Sequence, residues 1–98
     1  MTAPVLEEVL AVLRHEREAA RALGIEFVGV VGSVARGDAG PESDVDVVYD
    51  VVGEARFWQM GGLVADLEDR LHRRIDLVDR AMMIPERWAW MSRDLVTL

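Results

Sequence analysis

With 98 residues, 51% of them apolar, the sequence suits one small domain with a real core and leaves no room for a second. It has no cysteine, which excludes a disulfide framework and a thiolate metal site and fits a reducing interior. The formal net charge of −7 repels phosphate backbones and excludes a general nucleic-acid binder, while suiting divalent cations or a basic protein partner.

No apolar run approaches the roughly 20 residues of a membrane span. Met1-Thr2-Ala3-Pro4 lacks the basic-then-apolar order of a signal peptide. A soluble cytoplasmic protein is therefore expected.

Thr2 is predicted to cap a first helix, with Pro4 in its first turn. Val5, Leu6, Val9, Leu10, Leu13, Ala20 and Leu23 follow at helical spacing, and Gly24 stands where that helix would stop. Ile25 to Val31 is β-branched and apolar at nearly every position, the pattern of a strand buried on both faces. It runs into Gly32-Ser33 and a short helix or turn through Asp38. Residues 39–43 form a loop, by their glycine and proline.

Val45, Val47, Tyr49 and Val51 then alternate with Asp44, Asp46, Val48 and Asp50, which is strand periodicity. After Gly53 a second long helix is predicted, with Trp58, Leu63, Val64, Leu67 and Leu71 on one side and basic His72-Arg73-Arg74 at its end. Ile75 to Val78 is a third strand. Pro85 starts a final helix carrying Trp88, Met91 and Leu95 on one face. This order predicts an α/β sandwich, a small sheet with helices packed on it.

Two short segments carry the chemistry. Glycine at position 32 lets backbone approach a ligand closely, and the N–H groups around Gly32-Ser33, at the start of a helix, offer an anion site. Alone, such turns occur in many folds without a phosphate. On a strand, Asp44 and Asp46 point the same way, and two carboxylates that close disfavour each other's ionisation unless a cation lies between them. Mg²⁺ is the natural cation, with waters and substrate phosphates as its further ligands. Alone, an Asp-x-Asp is more often a solvent-facing strand start. Asp76 is a third acid, inside an otherwise apolar strand; the competing explanation is an edge strand with Asp76 facing water. Asp79, at the strand end, is the weaker candidate.

Gly32-Ser33 followed, after residues 34–43, by Asp44-Val45-Asp46 resembles the signature of the DNA polymerase β-like nucleotidyltransferase superfamily. Ile75-Asp76-Leu77-Val78 is similar to that family's third-acid strand, and the length fits its smallest branch, the minimal nucleotidyltransferases. The resemblance spans about residues 25–79 and implies a polymerase β palm-like fold with a small mixed sheet. It implies that Gly32 and Ser33 hold the triphosphate of ATP. Asp44 and Asp46 would ligate Mg²⁺, and Asp76 would complete a second Mg²⁺ site and help deprotonate the acceptor hydroxyl. Arg36 is open between touching phosphate and pairing with Asp38 or another acid. Val31 departs from the pattern, since many relatives carry an aromatic there.

Members of this branch are often antitoxins that transfer AMP to a tyrosine of a partner HEPN-domain ribonuclease toxin. Two alternatives stand beside this one. A non-catalytic antitoxin would neutralise by contact alone, but has no use for three acids together. A small-molecule nucleotidyltransferase would need a partner chain as its second domain. The diverging Trp88 and Trp90 make the C-terminal tail, with Trp58, a candidate protein interface. His15 and His72 read as helix-surface residues without a metal role.

Overall fold

The computed structural model describes residues 5–98, so the expected cap Thr2 and Pro4 lie outside the described residues. The elements run Val5–His15 (α1), Arg17–Ala22 (α2), Ile25–Val31 (β1), Gly32–Arg36 (α3), Val45–Val51 (β2), Phe57–Leu71 (α4), Ile75–Asp79 (β3), Pro85–Met91 (α5) and Val96–Thr97 (β4). Short 3-10 turns occupy Arg80–Met82 and Ser92–Asp94. The sheet order is β3-β2-β1-β4. β2 and β3 are parallel, and β1 is antiparallel to both β2 and β4. A mixed sheet with helices packed on it is the expected α/β architecture.

Strand alternation sorts the sheet into two faces. Val45, Val47 and Tyr49 of β2 join the core with Val9 and Leu13 of α1 and Leu63 and Leu67 of α4. Asp46, Val48 and Asp50 therefore project from the other face. Their β3 neighbours in register, Asp76 beside Asp46 and Val78 beside Val48, project with them. Among the described residues, no helix is long and apolar enough to cross a membrane.

The single helix expected over residues 5–23 is broken at Glu16 (φ −92°, ψ 6°). The backbone ladder passes through the break, from Glu16 N to Val12 O and from Ala20 N to Glu16 O, each 3.0 Å. Glu16 is only 9% exposed. Its carboxylate accepts Arg70 of α4 at 3.0 Å, which supplies the counter-charge a buried carboxylate needs. Apolar periodicity carries no trace of such an ion pair.

The apolar stripe of α4 also differs from expectation. Met60, Leu63, Leu67 and Leu71 are buried, whereas Trp58 is 100% exposed. Trp58 falls on the opposite side of α4, with exposed Gly61, Gly62 and Ala65 at helical spacing from it. The final helix stops at Met91, so Leu95 does not belong to it. The chain passes through the turn at Ser92–Asp94 into β4, a strand too short to show periodicity.

β4 lies close on β1. A β-carbon at Gly29 would fall 2.2 Å from the Val96 carbonyl oxygen, a backbone atom that cannot swing aside. Gly29→Ala is therefore expected to push β4 off the sheet and to cost about 1–3 kcal/mol. Hydrogen exchange would report it, as lost protection of the Leu98 amide, which donates to Val28 O.

Candidate active site

Gly32 closes β1 with φ +81°, a left-handed conformation that side chains resist. A β-carbon there would fall 2.6 Å from Asp46 Oδ2. Glycine is thus needed twice, for the turn and for the approach of the Asp46 carboxylate. Sequence reasoning assigned that closeness to a ligand; the structure shows that an acid of the chain itself already fills it. Ser33 follows at the start of α3, which ends on left-handed Gly37 (φ 82°).

Asp44 lies one residue before β2, and Asp46 is its second residue. Asp46 pairs in register with Val31 on one side and Asp76 on the other. The structure therefore gathers Gly32, Asp46 and Asp76 across three adjacent positions at one end of the sheet. β3 is an edge strand and Asp76 is exposed. Both features of the competing explanation hold, yet Asp76 still shares its face and register with Asp46.

Burial raises the Asp46 carboxyl above its ordinary value, and the charges of Asp76 and then Asp44 raise it further. The three carboxylates thus feel one another, with Asp46 at their centre. Among the described residues, no group of three or more acidic, histidine or cysteine side chains is placed to hold a metal ion by itself. An open set of hard oxygen donors still fits a divalent cation such as Mg²⁺, which takes few protein carboxylates and fills its shell with water and phosphate oxygens. Asp44, Asp46 and Asp76 are the candidates to hold it, with the rest of its shell supplied from outside the chain.

Arg36 has two carboxylate partners. Its Nε donates to Asp38 Oδ2 at 3.2 Å and its Nη1 to Asp94 Oδ2 at 3.1 Å. The pairing alternative is therefore realised, and a second acid, 58 positions along the chain, joins the first. These partners, Asp94 foremost, hold the guanidinium charged.

Another arginine was invisible as a site residue. Arg73 Nη1 donates to Gly40 O at 2.8 Å and to Ser43 O at 3.1 Å, while Gly40 N donates to Ser43 Oγ at 2.9 Å. Arg73 thereby fixes the loop that delivers Asp44. Its only sequence signal was a basic helix end. His72 supplies the left-handed residue after α4 (φ 53°). His15 is exposed and near Glu16, so neither histidine joins the acids.

Trp90 is 64% exposed and Trp58 fully so, while Trp88 is half-buried under the Arg80 guanidinium, 5.9 Å from its ring centre. Trp58 belongs to the Gly24 end of β1, where Arg56 N donates to Leu23 O. Trp90 lines a cavity with Arg36, at the Gly32 end. The two exposed tryptophans therefore sit at opposite ends of the sheet.

Comparison with known proteins identifies the family. The family of polymerase β nucleotidyltransferases matches residues 15–89. Protein adenylyltransferase MntA of Thermococcus cleftensis is 34% identical over 79 residues, 80% of either chain. A solved structure assigned as a minimal nucleotidyltransferase is 32% identical and superposes with a TM-score of 0.68, over 91% of this chain and 95% of that one. The chain belongs to the polymerase β nucleotidyltransferase family and is a minimal nucleotidyltransferase.

Proposed function

We propose that the chain transfers AMP from ATP, with Mg²⁺, to a tyrosine of a partner HEPN ribonuclease toxin and thereby silences it. The observation that carries the catalytic part is Asp46 held between the Gly32 turn and Asp76. The likeness to a protein adenylyltransferase supports a protein acceptor.

In this reading the N–H groups at Gly32 and Ser33, with the Ser33 hydroxyl, bind phosphate oxygens. Asp44, Asp46 and Asp76 hold two Mg²⁺ ions. Bound there, the ions would neutralise charge on the phosphates and lower the barrier to deprotonating the acceptor. Asp76, on the flank away from Gly32, accepts the phenol proton. The tyrosine oxygen forms a bond to the α-phosphorus, the bond from that phosphorus to the bridging oxygen breaks, and pyrophosphate leaves with the electron pair. The remaining work of the chain is positioning.

ATP labelled at the α-phosphate should mark the toxin, and ATP labelled at the γ-phosphate should not. Label from the γ-position would mean phosphorylation and would sink the proposal. Trp90, exposed at the Gly32 end of the sheet, suits a partner surface. Trp90→Ala is expected to weaken toxin binding while changing folding stability by no more than about 0.5 kcal/mol, read by pull-down and thermal melting.

A further inference from the structure

Beyond α3 the surface opens into a cavity of about 350 Å³ lined by Arg36, Trp90, Arg93 and Asp94. Arg36 lies three residues after Ser33 on α3, so the two side chains share a helix face one turn apart. The cavity therefore continues the line from Asp46 past Ser33. Arg93 is exposed, and among the described residues its guanidinium has no ion pair or hydrogen bond. Arg36 is tied to Asp38 and Asp94. In a chain of net charge −7, two arginines lining one concavity suit an anionic ligand.

We propose that this cavity takes the terminal phosphates of the nucleoside triphosphate, and that Arg93, from the C-terminal turn, is a substrate-positioning residue. Guanidinium groups suit phosphate because their fork of donors meets two oxygens at once. The direction follows from in-line transfer. Attacking and leaving oxygens lie on opposite sides of the reacting phosphorus. Asp76, which the proposed function sets beside the acceptor, is on one flank of Asp46, and Gly32-Ser33 is on the other. The leaving pyrophosphate must then extend along the Ser33 flank, towards Arg36 and Arg93. Asp94 has a place in the same scheme: it holds Arg36 at the cavity wall until phosphate oxygens take over the guanidinium. The inference rests on the reading of Gly32-Ser33 as the phosphate cradle.

The test measures Kd by titration calorimetry for ATP, inorganic tripolyphosphate and AMP, each with Mg²⁺, on the full chain. Arg93→Glu is expected to weaken ATP and tripolyphosphate by about tenfold, and Arg93→Gln by less, with AMP unchanged in both. Asp94→Asn, which removes an anion from the cavity, is expected to tighten tripolyphosphate. Thermal melting of each variant confirms that it folds. Unchanged tripolyphosphate binding in Arg93→Glu, equal weakening of AMP, or loss of tripolyphosphate binding in Asp94→Asn would overturn the proposal. If the wild-type chain bound neither ATP nor tripolyphosphate, the cradle itself would fail, and with it the inference.

Discussion

Asp46→Asn is expected to lose nucleotidyl transfer by about a thousandfold and, without divalent cations, to melt at a higher temperature than the wild-type chain. Both effects have one cause. Asp46 is drawn out of water beside Asp76 and Asp44, so its folded-state pKa is raised, by burial first and by those charges next. A carboxyl raised on folding favours the fold while protonated. That contribution is present below the ordinary value of 3.8 and is lost as pH rises through the higher folded-state value. At neutral pH the ionised Asp46 therefore costs stability. Solvent screening at this partly exposed site limits the cost to at most about 1 kcal/mol. The amide removes the charge and keeps the shape. Mg²⁺ should stabilise the wild-type chain and do so far less for the variant, since one carboxylate of the cation site is gone. A variant that melted lower than wild type at neutral pH, without metal, would contradict this account.

Gly32→Ala should separate fold from activity in another way. A left-handed conformation costs an alanine about 1–2 kcal/mol, so folding stability should fall by that much. The new methyl would collide with Asp46 Oδ2, the far end of a flexible side chain. The carboxylate can rotate away, and the chain should still fold. A displacement of about 1 Å at a reacting centre costs about a hundredfold in rate, so transfer should drop at least that far while circular dichroism remains native. Retained activity would mean that Asp46 need not occupy its observed position.

The sequence was most informative where strands and spacing governed. β1, β2 and β3 follow from β-branched runs and alternation, and Gly32-Ser33 with Asp44 and Asp46 stood out through their resemblance to the family signature. Asp76 followed from an acid in an apolar strand. What stayed hidden depended on partners distant in sequence. Glu16, at the junction of α1 and α2, is paired with Arg70 of α4. Arg36 is held by Asp94, and Arg73 holds the loop before Asp44. Trp58 is expected in the apolar stripe of α4 but lies on its opposite, solvent side. β4 has two residues and borrows its geometry from β1. Local pattern encodes elements; long-range pairing decides which charged residues become structural.

The most direct measurement compares the wild-type chain with Asp44→Asn against the HEPN toxin, with α-labelled ATP and Mg²⁺, following both label on the toxin and residual ribonuclease activity. The wild-type chain should label the toxin and silence it, and Asp44→Asn should do neither while binding it normally. A toxin silenced equally by Asp44→Asn, with no label transferred, would show that contact alone neutralises it and would contradict the catalytic account.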